Sequence, residues 1–393
     1  MLYRPEAFEP LTETRWDEQR VRRAMRGIVA DVDAAFDPNA LWPADDWDGW
    51  QAALPLKNLY VGAAGVIGAL DMLRRRGHAE TRIDLAAAAA RTLAAFREAP
   101  DFIGDYELPP SPEAALLTGE TGILLVAWRL SRADDIERDL LAHVHANLAN
   151  DADDLMWGIP GTLLAARAMA DWTGAQRWRE ACRDSAEALW RRRDANGFWS
   201  QHLYGNVYRG LGPAHGVTGN ALVLLDAIDE KNRTRLTTET AALLAREAVV
   251  EDGLANWPTH AGDDLVADDG EIRVQWCSGA PGIVTSAASY LDEELMTAGA
   301  ELAWSAGPPG MEKGPGICHG TAGNGYAFLK LFARIGDERW LARARRFAVH
   351  ALEQVERRGR GRYSLWTGDP GVVLFAADCL ESRSAYPVLE TWD

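Results

Sequence analysis

Lysine is nearly absent from this chain of 393 residues: four of its 41 basic residues are lysine and the rest are arginine. A net charge of −17 leaves no positive surplus of the kind that captures nucleic acid or an anionic membrane, so neither is expected as a partner. The chain also lacks any run of about 18 uninterrupted apolar residues. Its opening stretch, "MLYRPEAFEPLTETRWDEQR", lacks a basic segment followed by an apolar one. These absences predict a cytoplasmic protein. Cysteine is scarce too: four in a chain of this length are too few for a disulfide scaffold, which leaves core, metal-ligand or reactive-thiol roles. No low-complexity linker interrupts the sequence. Its 47% hydrophobic and 25% charged residues suffice for a buried core, and one domain over 1–393 is expected.

Glycine, by contrast, is patterned. A GxxG step opens an apolar run at seven places: "GAAG" from Gly62, "GETG" from Gly119, "GIPG" from Gly158, "GVTG" from Gly216, "GAPG" from Gly279, "GTAG" from Gly320 and "GDPG" from Gly368. The runs that follow, such as "ILLVAWRLSR" and "VVLFAADCLES", suit helices rather than short alternating strands. Between them lie amphipathic, arginine-rich helical patterns such as "RWREACRDSAEALWRRR" and "RWLARARRFAVHALEQVERR". Trp178 and Trp340 each fall 17 residues after the second glycine of the preceding step, which marks one unit repeated. An N-terminal helix near "WDEQRVRRAMRGIVADVDAAF" completes the set. The expected architecture is all-α: a seven-fold α/α toroid with seven inner and seven outer helices, its GxxG entrances sharing one rim. The segments 194–214 and 251–275, without helical pattern, are expected to roof or line that rim.

Three entrances carry unusual chemistry. Cys277 stands two residues before Gly279, Cys318 and His319 stand immediately before Gly320, and His215 stands immediately before Gly216. If the entrances converge, Cys277, Cys318 and His319 meet despite more than 40 residues between the first two. Two thiolates and one imidazole form a zinc set that leaves a fourth position for water or substrate. A helix N-terminus also favours thiolate over thiol. Cys182 and Cys379, inside helical patterns, read as small core residues.

Together, "WCSGAPG", "GICHGTAGNGYAFL", "AHGVTG" and "SLWTGDPG" resemble the signature of the lanthionine synthetase cyclase family, and their framing resembles its stand-alone LanC-like branch. The resemblance runs from the first GxxG to the terminal "AYPVLETWD". It implies a seven-fold α/α barrel around a zinc ion. It also implies zinc-assisted addition of a thiol to a dehydroalanine or dehydrobutyrine residue of a peptide or protein. The zinc ligands it implies are Cys277, Cys318 and His319. Attack on the β-carbon produces an enolate, and the acid/base histidine that returns a proton to the α-carbon corresponds to His215. Asp154 matches the family's active-site aspartate, orienting His215 or substrate, and Arg273 matches an arginine that stabilises enolate or carbonyl charge. In the LanC-like branch the thiol resembles glutathione, with contacts corresponding to Arg4, Lys313 and either Arg360 or Arg362. Two departures stand out: Ser278 replaces a histidine or tyrosine, and Trp366 and Thr367 replace a phenylalanine and a glutamate.

The leading expectation is glutathione addition to dehydroamino acids. The alternatives are a cyclase in which a peptide cysteine closes a lanthionine ring, a metal-free carbohydrate-active α/α toroid, and a non-catalytic scaffold that binds glutathione or protein. The sixteen tryptophans suit core and rim positions, with some available to line a cleft.

Overall fold

The computed structural model describes residues 1–49, 52–102, 107–267 and 269–393. Fourteen α-helices appear among them, in an alternation of two kinds. The first kind comprises α1 (Glu18–Ala35), α3 (Leu85–Glu98), α5 (Asp134–Ala146), α7 (Gln176–Arg192), α9 (Glu230–Glu247), α11 (Glu293–Ala306) and α13 (Glu338–Arg358). Each buries only a stripe, as the 3.6-residue repeat of apolar side chains requires; in α13 it includes Trp340, Leu341, Ala344, Phe347 and Ala348. Trp178 and Trp340 both occupy the third position of their helices, and both are buried.

The second kind comprises α2 (Ala63–Arg75), α4 (Glu120–Ser131), α6 (Ile159–Thr173), α8 (Val217–Leu224), α10 (Ala280–Ser286), α12 (Thr321–Ile335) and α14 (Asp369–Glu381). These are covered nearly all round; in α14 every residue from Asp369 to Cys379 is buried. Successive members touch one another, and α14 returns to touch α2. The helices of the first kind pack against members of this succession, for example α3 against α2 and α4, and α13 against α12 and α14. One hydrophobic cluster runs through the whole arrangement, from Leu2 to Trp392.

The first glycine of every GxxG step is the N-cap of a helix of the second kind. The second glycine has a steric reason. At all seven steps a Cβ there would meet the carbonyl oxygen six residues earlier, from Gly65 against Leu59 to Gly371 against Leu365. The tightest is Gly282, where the added atom would lie 1.8 Å from the Trp276 oxygen. Gly282→Ala is therefore expected to destabilise the protein at the upper end of the ~1–3 kcal/mol typical of overpacking. Gly27→Ala, in α1 with nothing within 4 Å, should instead stabilise it by ~0.5–1 kcal/mol. Chemical denaturation of the two variants separates steric demand from helix propensity.

The sequence reading assigned no strands, and here the structure differs. Two short antiparallel hairpins occur among the described residues, Gln201–Leu203 with Asn206–Tyr208 and Val249–Glu251 with Leu254–Asn256. Both overlap the segments without helical pattern, where Gly205 and Gly253 supply the positive φ that the tight turns need. The segment 251–275 includes position 268, which lies outside the described residues. No helix among the described residues is long and apolar enough to cross a membrane.

Candidate active site

Main-chain hydrogen bonds knit the helix entrances together. The Cys277 N–H donates to Cys318 O at 3.3 Å, Cys318 N–H to Trp366 O at 2.8 Å, Trp366 N–H to Tyr60 O at 3.2 Å and Tyr60 N–H to Leu117 O at 2.9 Å. All five residues stand two places before the first glycine of their steps. This register brings residues from distant parts of the chain side by side. Trp276, Trp366 and Tyr386 pack beneath as mutually touching aromatic rings, and the Tyr386 hydroxyl donates to Ile317 O at 2.5 Å, directly behind Cys318.

The result is a cavity of about 410 Å³ lined by Cys277, Cys318, His319, His215, Arg273, Lys313, Tyr60, Gln275 and Ser278 among others. The ligand atoms of Cys277, Cys318 and His319 all lie within 4.8 Å of one another, so the structure brings together the three residues predicted to bind metal. Among the described residues no other such group of three is found. The donor set fits a metal ion. His319 Nδ1 is buried without a hydrogen-bond partner among the described residues. Burial, aided by Lys313, Arg362 and Arg273, lowers the His319 pKa to about 3, so the ring is neutral and able to ligate at neutral pH. The two cysteines titrate as a pair. Cys277 is drawn down to about 7, first by its hydrogen bond with Cys318, then against burial by Gln275, His215 and Arg273. Cys318 moves the other way, pushed up by burial and by its neighbour. Soft sulfur donors beside a neutral imidazole suit zinc better than a hard, oxygen-seeking cation.

His215 faces the same cavity from the α8 entrance. Its Nδ1 lies 2.6 Å from Asp154 Oδ2, and Asp154, fully buried, accepts a second hydrogen bond from the Trp157 N–H at 2.7 Å. Asp154 does not line the cavity; it orients the ring. Burial disfavours charge on His215, but the Asp154 carboxylate outweighs it and raises the histidine pKa above its ordinary value. With Nδ1 committed to the aspartate, Nε2 is the ring nitrogen that could exchange a proton with a molecule in the cavity. Arg273 lines the cavity and pairs with Asp269.

A second cavity of about 320 Å³ adjoins the first and shares Trp47, Lys313 and His319 with it. It receives Arg360 and Arg362 together with Arg358. Each of these is already matched: Arg360 by Asp45 at 2.9 Å, Arg362 by Asp48 at 2.8 Å and Arg358 by Asp369. Asp48 also accepts a hydrogen bond from Thr367 Oγ1 at 2.8 Å, so a carboxylate from another part of the chain stands against the unusual threonine. Lys313 has no ion pair among the described residues. Arg4 lines neither cavity; its guanidinium lies beside Gly270.

Sequence reasoning missed Tyr60, Gln275, Trp47 and Tyr208. A signal for Tyr60 existed: of the seven residues two places before a first glycine, five line the larger cavity, namely Tyr60, Met156, Ala214, Cys277 and Cys318. Only the cysteines drew notice, because the others are ordinary core types. Trp47 and Tyr208 lie outside any repeat, and nothing local marks them.

Residues 51–391 match the sequence profile of a family described as lanthionine synthetase C-like protein. Among curated proteins, "Glutathione S-transferase LANCL1" of Danio rerio is 29% identical over 205 residues, covering 49% of this chain and 47% of the relative. "LanC-like protein GCL1" of Arabidopsis thaliana is 28% identical over 183 residues, covering 42% and 40%. The matched regions thus span less than half the length of either relative. Among solved structures, nisin cyclase superposes with a TM-score of 0.64 at 15% identity, over 93% of this chain and 95% of its own. That likeness is one of fold.

Proposed function

This chain belongs to the lanthionine synthetase C-like family, and from that premise we propose that it is a zinc-dependent enzyme adding a thiol, glutathione in the first instance, to dehydroalanine or dehydrobutyrine residues of peptides or proteins. The observation that carries the reading is the convergence of Cys277, Cys318 and His319 with the His215–Asp154 pair on one cavity. Zinc, when bound by these three residues, supplies the charge that lets a substrate thiol give up its proton near neutral pH. The remaining roles belong to side chains. His215, its proton retained by Asp154, delivers that proton to the α-carbon after the β-carbon has formed its bond to sulfur. Arg273 faces the negative charge that develops on the acceptor carbonyl.

The closed succession of inner-helix contacts supports a single-domain α/α toroid with seven inner and seven outer helices, its chemistry at the shared rim. Four free cysteines suit the reducing cytoplasm, where glutathione is plentiful. The carbohydrate-active alternative loses ground, because Asp269 is the one carboxylate among the described residues lining the larger cavity and glycoside chemistry uses two.

Glutathione carries two carboxylates, and the likeness to a relative named as a glutathione S-transferase supports it as the thiol. Lys313, between the two cavities and without an ion pair among the described residues, is the cation best placed to receive one. Lys313→Ala is expected to raise KM for glutathione by roughly 10-fold while kcat changes little, in line with ~1.5–3 kcal/mol for a hydrogen bond to a charged group. Steady-state kinetics with a dehydroalanine peptide reads this split. A second reading, ring closure by a cysteine within the acceptor peptide, is favoured by one observation: Arg360 and Arg362 are already held by Asp45 and Asp48. A peptide bearing both a cysteine and a dehydroalanine, incubated with and without glutathione, decides between them. Our reading predicts a mass increase of one glutathione. Loss of the peptide thiol at unchanged mass, with glutathione present, would give the cyclase reading.

A further inference from the structure

Each sulfur of the Cys277–Cys318 pair receives a hydrogen bond from a neutral side chain. Tyr60 Oη donates to Cys318 Sγ at 3.1 Å, and Gln275 Nε2 donates to Cys277 Sγ at 3.0 Å. Neither donor is loosely held. The Tyr60 main chain is fixed on both sides, donating to Leu117 and accepting from Trp366, and its ring packs against the Trp366 ring at 5.9 Å. Gln275 is buried, and its N–H donates to Ser278 O at 3.1 Å. Both side chains line the larger cavity, so they meet the sulfurs where substrate would enter.

A site of this composition has a selectivity problem. It must offer one sulfur to an electrophilic alkene while keeping two sulfurs of its own beside the same alkene. A hydrogen bond to sulfur withdraws electron density from the lone pairs, which weakens sulfur as a nucleophile and fixes the direction in which it donates to a metal. We infer that Tyr60 and Gln275 are positioning residues that cap Cys318 and Cys277, keeping these cysteines as ligands and leaving addition to the substrate's thiol. The inference rests on the metal-dependent reading above. It assigns work to two residues that touch no reacting atom and differ in chemistry, a phenol and an amide, yet present the same kind of donor to equivalent sulfurs. Tyr60 does so from the position that corresponds, in its own entrance, to that of the cysteines.

The test uses cobalt(II) in place of zinc, because sulfur-to-cobalt charge transfer gives an absorption band whose energy reports the electron richness of the sulfurs. Wild type, Tyr60→Phe, Gln275→Met and, as a control, Tyr208→Phe are each loaded with cobalt. Each is then treated with iodoacetamide, and alkylation is mapped by mass spectrometry. Tyr60→Phe should move the band to lower energy and speed alkylation of Cys318 by roughly 2- to 10-fold, the rate equivalent of a hydrogen bond worth ~0.5–1.5 kcal/mol. Gln275→Met should do the same at Cys277. Tyr208→Phe alters the same cavity wall without touching either sulfur and should leave both readouts unchanged. Because the two capping variants report on different sulfurs, misfolding of one leaves the other decisive. Wild-type band energies and alkylation rates in both capping variants, with one cobalt per chain, would overturn this inference alone, as would an equal effect of Tyr208→Phe. A wild-type protein that takes up no cobalt would overturn the metal-dependent reading and this inference with it.

Discussion

Replacing His215 with alanine should lower kcat for thiol addition by roughly 10²–10⁴, the usual contribution of a positioned acid or base, and leave zinc content at the wild-type level. The group of three that could hold a metal ion does not include His215, so the proposed metal binding and proton delivery can be tested separately. Asp154→Asn probes the same unit through its partner. The aspartate raises the His215 pKa, so the ring keeps its proton to higher pH than a free imidazole and acid catalysis fails only as pH climbs through that raised value. Removing the carboxylate lowers the pKa, and the alkaline limb of the pH–kcat profile should move to lower pH. A purely structural Asp154 would change the height of the profile and not the position of that limb. Asp154 is fully buried, so its variant must be compared at equal folded fraction, read from its unfolding curve.

The second large effect belongs to the proposed metal ligands. Cys318→Ala removes one of three donors and should cost more than the 10–100-fold in affinity typical of losing an outer partner, leaving purified protein with little zinc and no measurable thiol addition. The fold should survive. Packing of the inner helices rests on the hydrophobic cluster and on the GxxG contacts, with the cysteines contributing two entrance side chains among many. Cys182→Ala is the matching control, because Cys182 lies in α7 and outside the ligand group. Its thiol is pushed up to about 11 by burial, which makes it inert rather than ligating. Full zinc content in Cys318→Ala would remove that residue from the ligand set.

Much of this was legible in the sequence because the repeat is written in backbone sterics. A glycine that must clear a carbonyl six residues earlier has no substitute, so the seven steps mark the starts of seven buried helices whatever the side chains between them do. The same logic placed Cys277 beside Cys318, since equivalent positions of a repeat arrive at equivalent places on the rim. The short hairpins were not legible. Three-residue strands closed by Tyr204-Gly205 and Asp252-Gly253 turns carry too few alternating residues to stand out from loop. Nor was the pairing of Arg360 and Arg362, which depends on Asp45 and Asp48 more than 300 residues away in the chain. An arginine read from sequence offers a charge; only the fold shows that the charge is already matched. Neither Lys313 nor Arg4 has an ion pair among the described residues, and of the two only Lys313 lines the cavities.

The most direct test of the central claim is a mass measurement. A dehydroalanine peptide and glutathione are incubated with the zinc-loaded protein, with protein stripped by a chelator, and with stripped protein to which zinc has been returned. The account predicts an enzyme-dependent adduct of one glutathione that disappears on stripping and returns with zinc. An adduct formed equally well by the stripped protein would contradict it, as would none from protein carrying one zinc per chain.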